Sequence, residues 1–178
     1  DFLVPYLALH LERPVKWVED RAENLVALTH SREQLHEIAL ALDAEGRILG
    51  LRDEAWHDNG AYLRTHGVAV PELTVTMLPG PYRVPAYDST IHVVLTNKTP
   101  CGTYRAPGRY EGTFAREHLL DIAADRLGID RVEIRRRNLL TPDELPHDRP
   151  ITALNTPMLI DRGDFPGLLD RALQDFDY

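Results

Sequence analysis

Apolar residues recur along this chain with two different periods. His36, Ile38, Leu40 and Leu42 alternate with Glu37, Ala39 and Ala41, the period-two pattern of a half-buried strand. Asp43-Ala44-Glu45-Gly46 then reads as a turn, with Gly46 free to take a positive φ, and residues 48–56 return as the second arm of a hairpin. Residues 89–96 alternate in the same way, with Ile91, Val93 and Leu95 on one side. Elsewhere the period is helical. Phe2, Leu3, Tyr6, Leu7 and Leu9 form a stripe that must end before Arg13-Pro14. The richest helical pattern covers 109–127, with Ala115, Leu119, Ile122, Ala123 and Leu127 on one face and Gly128 placed as a left-handed cap. Asp130 can cap a second helix over 132–139, and Asp161-Arg162-Gly163-Asp164 leads into a last one over 165–176.

Weaker segments complete the order. Residues 15–18 read as a short strand, 21–28 as a short helix, and 67–78 as a helix interrupted by Pro71. Residues 141–155, polar and proline-containing, read as a long surface loop. Strands and helices interleave without a regular βαβα rhythm. The expectation is an α+β fold: a mixed sheet containing a β-hairpin, with helices packed on it.

The 178 residues carry a formal charge of −8, with 43% hydrophobic and 27% charged residues. That composition is globular, and its acidic balance argues against nonspecific nucleic-acid binding. No apolar run is long enough to span a bilayer. Cys101 is the sole cysteine, which excludes an internal disulfide and any cysteine-rich zinc or iron–sulfur site, and a cytoplasmic setting is the simplest reading. The chain begins with Asp1 inside an apolar pattern and stops at Tyr178 just after another, so 1–178 reads as a fragment of a longer polypeptide.

Familiar chemical motifs are missing. The eight histidines have no metal-ligand spacing, and no nucleophile elbow, phosphate loop or dinucleotide fingerprint occurs. Cys101 has no paired base in the sequence, and Arg135-Arg136-Arg137 reads as a solvated face or as partners for neighbouring carboxylates. The unusual stretch is 99–111, Thr-Pro-Cys-Gly-Thr-Tyr-Arg-Ala-Pro-Gly-Arg-Tyr-Glu, between a strand and the longest helix. Its prolines and glycines give it a set shape, and free N–H groups there, with Arg105 and Arg109, suit an anionic or oxo ligand. A tight connection whose glycines only relieve strain explains the same residues equally well.

Tyr104-Arg105-Ala106-Pro107-Gly108-Arg109 and the helix after it resemble the large subunit of the molybdenum hydroxylases, the xanthine dehydrogenase, aldehyde oxidase and aerobic carbon monoxide dehydrogenase family. Arg13-Pro14-Val15-Lys16-Trp17, Asp20-Arg21 with Glu23, Asn59-Gly60-Ala61-Tyr62, Pro81-Tyr82 with Pro85, Gly128-Ile129-Asp130 with Arg135 and Asn138, and Gly163-Asp164 follow in the family's order. The resemblance implies a molybdenum cofactor-binding domain-like fold. It also implies a molybdenum–molybdopterin cofactor, as a dinucleotide, that hydroxylates a substrate with water as the oxygen source. Electrons would leave through 2Fe-2S and FAD in partner subunits or domains. It implies that Arg105 offers its backbone amide to the molybdenum centre, with Tyr104 and Ala106 beside it, and that Pro107 and Leu73 border the substrate pocket. It implies no catalytic residue and no metal ligand within this stretch.

Departures narrow the substrate. Ala106 stands where the copper-containing carbon monoxide dehydrogenases have a copper-ligating cysteine, and Cys101 comes too early to replace it. Purine-oxidising members have an arginine at the position of Leu73 and a stacking phenylalanine at that of Pro107. An aldehyde or an N-heterocycle remains. The expected partners are the remainder of the large subunit, iron–sulfur and flavin subunits and a small-molecule substrate, in an oligomeric parent enzyme. The fragment alone would be inactive, because the pterin loop and the base glutamate lie outside it. A catalytically silent assembly or interaction domain that keeps the family fold is the other reading.

Overall fold

The computed structural model describes residues 2–178. Nine residues of β1 (Gln34–Leu42) pair antiparallel with β2 (Ile48–Asp58) across the Asp43–Gly46 turn, as the alternation requires. Asp43 closes that turn by accepting the N–H groups of Glu45 and Arg47 at 3.0 and 2.7 Å. β2 pairs on its other side with β3 (Tyr87–Val94), in parallel, so the sheet is mixed and β2 is its centre. A parallel connection needs a crossover, and α3 (Ala69–Met77) provides it. Leu51, Asp53, Ala55 and His57 alternate inward from β2 and are buried.

α4 (Arg109–Leu127) and α5 (Arg131–Asn138) pack on that inner face. Ala123, Ala124 and Ile134 form one buried cluster, because two alanines let α5 approach closely, and Leu40, Leu42 and Ile129 close it. A second cluster joins Ile48, Tyr82, Leu120 and Leu139, and Phe165 and Leu169 of α6 (Phe165–Phe176) cover its edge. Asn138 ties helix to hairpin. It donates to the carbonyls of Gly46 and Ile134 and accepts the Ile48 N–H, all at 2.8 Å. Arg135, Arg136 and Arg137 all meet carboxylates: Glu117 and Asp121, Asp170 and Glu133, and Glu133 respectively.

The observed order corrects four expectations. α3 runs through Pro71 without a break, because Pro71 lies in the first turn, where its missing N–H has no helical acceptor to lose. Residues 141–155 are not a loop. A short 3-10 turn at Pro142–Glu144 precedes β4 (His147–Ala153), which pairs antiparallel with β5 (Thr156–Ile160). Leu154 and Asn155 both take positive φ, +50° and +63°, the geometry of a two-residue hairpin. Residues 15–18 form no strand, and Trp17 and Val18 are exposed. The buried stripe of α4 is carried by Ala115, Leu120, Ala123 and Ala124 together with Glu111 and Arg116, whereas Leu127 is exposed. α1 (Leu3–Leu11) and α2 (Arg21–Ala27) bury no residue in this chain.

Candidate functional site

The loop over 99–108 consists of two halves held in different ways. Its first half is laced to the sheet end like a strand. Cys101 donates its N–H to the Asn59 carbonyl at 2.9 Å and Gly102 to the His30 carbonyl at 2.8 Å, while the Pro100 carbonyl accepts the His30 N–H at 3.2 Å. Gly60 makes this approach possible: a Cβ there would stand 2.3 Å from the Thr99 carbonyl oxygen. Cys101 is buried, and burial together with the nearby negative charge of Glu111 pushes its thiol up to about 11. Such a thiol is not a nucleophile at neutral pH. No group of three or more His, Cys, Asp or Glu residues is placed to hold a metal ion among the described residues.

The second half, 103–107, stands clear of the sheet. The N–H groups of Thr103, Tyr104, Arg105 and Ala106 find no acceptor among the described residues. Tyr104 and Arg105 are exposed, Ala106 and Pro107 half-buried, and Ala106 takes a φ of +55°. Arg109 ties its end, donating its N–H to the Ala106 carbonyl at 3.2 Å and Nη1 to the Pro107 carbonyl at 3.3 Å, and its middle is held by a side chain distant in sequence, Arg32. Its Nη2 donates to the Tyr104 carbonyl at 3.4 Å and to the Arg105 carbonyl at 3.2 Å. Its guanidinium lies 4.1 Å from the Tyr110 ring centre and 5.5 Å from that of Tyr104. The buried Glu111 carboxylate lies 3.6 Å from Arg32 Nη1.

The loop ends on α3. Gly108, at φ +74°, sits against the backbone of Val70, Leu73 and Thr74. Leu73 itself is 5% exposed, so its side chain is part of the core and its backbone is what it offers the loop. The structure therefore brings Tyr104, Arg105, Ala106 and Pro107 together at one surface and sets Leu73 beneath them. Arg32 and Glu111 were not foreseen, and the Ser31-Arg32-Glu33 stretch carries no motif that would mark them.

A groove of about 590 Å³ runs along the loop, lined by Leu28, Thr29, Arg64, Thr65, His66, Gly102 and Thr103. Its size suits an organic cofactor or ligand. Its lining combines threonine hydroxyls, main-chain groups, the His66 imidazole and one arginine with the apolar Leu28, and has no carboxylate to repel an anion. A phosphate-bearing pterin fits these donors.

The sequence profile of the molybdopterin cofactor-binding domain family matches residues 1–139. The chain belongs to this family. Among relatives of this molybdopterin cofactor-binding domain is the 6-hydroxypseudooxynicotine dehydrogenase complex subunit gamma of Paenarthrobacter nicotinovorans, 50% identical over 161 residues, which are 90% of this chain and 20% of that protein. The nicotine 6-hydroxylase large subunit of the same organism is 38% identical over all of this chain and 21% of its own length. The crystal structure of quinoline 2-oxidoreductase from Pseudomonas putida 86 superposes with a TM-score of 0.87 at 35% identity, covering 98% of this chain and 22% of that one. The α+β fold with its mixed sheet is thus that of a molybdenum cofactor-binding domain. The chain spans about one-fifth of the length of the curated relatives it matches.

Proposed function

We propose that this domain is one segment of the large subunit of a molybdenum hydroxylase that oxidises an N-heterocycle with water as the oxygen source. The observation that carries the reading is the row of free N–H groups at Thr103–Ala106, fixed in place beside a carboxylate-free groove. Bound molybdopterin would supply the two-electron redox chemistry, and this chain's residues supply position and charge. The N–H of Arg105, with those of Tyr104 and Ala106, would be available to the bound cofactor as hydrogen-bond donors that need no rearrangement. Arg64, which lines the groove, and the exposed Arg105 side chain would balance the charge of a bound phosphate. Pro107, half-buried and without an N–H, forms an apolar wall for an aromatic ring.

The relatives' names favour a heteroaromatic ring over an aldehyde, since nicotine and quinoline both contain one. Ala106 disfavours carbon monoxide chemistry, because a methyl group cannot ligate copper. Glu111 is no base for the reaction: it is buried in its pair with Arg32. Proton transfer therefore needs a residue outside this segment, and the 178 residues alone turn nothing over. The bare apolar side chains of α1 and α2, Leu3, Leu9 and Val26 among them, would be covered by the remainder of the large subunit, with iron–sulfur and flavin subunits completing a cytoplasmic oligomer.

The test uses the full-length large subunit with its partners. Purified enzyme is expected to contain stoichiometric molybdenum and no copper, and to place ¹⁸O from labelled water in a hydroxylated N-heterocycle. Absence of molybdenum, or copper together with sustained carbon monoxide oxidation, would overturn the reading.

A further inference from the structure

We propose that Arg32 is a positioning residue that sets the direction of the Arg105 and Ala106 N–H groups. This rests on the reading that those groups face the cofactor. In a planar trans peptide, the carbonyl of one residue and the N–H of the next point in opposite directions. Arg32 Nη2 donates to the Tyr104 and Arg105 carbonyls. Anchoring the first fixes the N–H of Arg105, and anchoring the second fixes that of Ala106. Both N–H groups are thereby turned away from Arg32 and from the buried Glu111.

The surroundings show that this contact is built. Arg32 is a non-glycine residue at φ +75°, a conformation that is costly for a side-chain-bearing residue and persists only where its surroundings impose it. The guanidinium is fixed on three sides, by the Tyr110 ring, the Tyr104 ring and the Glu111 carboxylate. A planar fork can stack and donate at once, which an ammonium cannot do with the same geometry. The one other hydrogen bond to 103–106 among the described residues is that of the Arg109 N–H to the Ala106 carbonyl, at 3.2 Å, which leaves the Tyr104 and Arg105 carbonyls to Arg32 and the N–H groups of 103–106 unpaired. Without Arg32 the two peptide planes would be free to turn over.

The experiment uses the full-length enzyme with Arg32→Met and, separately, Arg32→Lys. Thermal midpoint, molybdenum content, kcat, KM and the electron paramagnetic resonance spectrum of the part-reduced metal are measured for each. Arg32→Met is expected to keep metal content and KM within about twofold of wild type, to lose on the order of 10² in kcat, and to shift the spectrum. Arg32→Lys should recover less than about a tenth of the wild-type rate. A folded, loaded Arg32→Met with wild-type kcat and spectrum would overturn the proposal. So would a loss of metal with unchanged turnover per molybdenum, which marks a purely structural role. If Arg32→Met does not fold, Arg32→Lys decides: full rate and an unchanged spectrum refute. Arg105→Pro separates the two levels, since it deletes the N–H itself. If it is silent, the cofactor reading fails. If it abolishes turnover while Arg32→Met is silent, only the role of Arg32 fails.

Discussion

Gly108 lies so close to Thr74 that a Cβ on the glycine would stand 2.4 Å from the Thr74 amide nitrogen. The contact joins the end of the 99–108 loop to α3, at a φ of +74° that disfavours any side chain. Gly108→Ala is expected to cost at least about 1–3 kcal/mol from the left-handed φ alone, with the clash added. The loop would lift from α3, and the full-length enzyme would load less molybdenum. Metal content and thermal midpoint measured together check this. Normal loading at an unchanged midpoint would contradict the packing described.

Asn138 makes two buried hydrogen bonds between α5 and the hairpin turn, and a third to the Ile134 carbonyl within α5. Asn138→Ala leaves the Ile48 N–H and the Gly46 carbonyl unpaired, at about 1–3 kcal/mol each. The thermal midpoint should fall by several degrees, while turnover per bound molybdenum stays near wild type. Its site is in the frame and not at the loop.

Cys101 should be inert in the folded protein. With its thiol pushed up to about 11, only about a thousandth is thiolate at pH 8. Iodoacetamide should leave Cys101 unmodified in native enzyme and alkylate it after denaturation, as peptide mass spectrometry would show. Rapid native alkylation with loss of activity would point to an exposed, activated thiol.

Two groups give the stability a pH dependence of known sign. Burial lowers the pKa of His57 below its ordinary 6.5. The unfolded chain therefore takes up a proton that the folded one refuses, and stability falls as pH drops from about 6.5. Arg83 and the Thr141 amide hold Glu144 down at about 2, against an ordinary 4.5. Its contribution is present above about 4.5 and is lost as pH falls towards 2. The thermal midpoint should therefore decline first between pH 7 and 5 and again below 4.5. His57→Gln should flatten the first decline, and Glu144→Gln the second. A midpoint constant from pH 7 to 3 would exclude both.

Local pattern was enough for the β1–β2 hairpin, for α4 and α5 with their Gly128 and Asp130 caps, and for α6. Each rests on contacts within a few residues: alternation, a turn glycine, a capping carboxylate. The same local logic marked 99–111 as unusual and pointed to Arg105 and Arg109, whereas the roles of Tyr104, Ala106 and Pro107 were implied only by the family resemblance. It misread 141–155, because a polar, proline-bearing stretch becomes a strand only when it has a partner, and β5 is that partner. Tertiary structure alone decided how the loop is held. Free N–H groups at 103–106, the clamp of Arg32 seventy-two and seventy-three residues away, and the burial of Leu73 under Gly108 all depend on packing between distant elements. Sequence can propose which residues form a loop. The direction of a peptide N–H is set by what grips the carbonyl on its other side, and that partner is chosen by the fold.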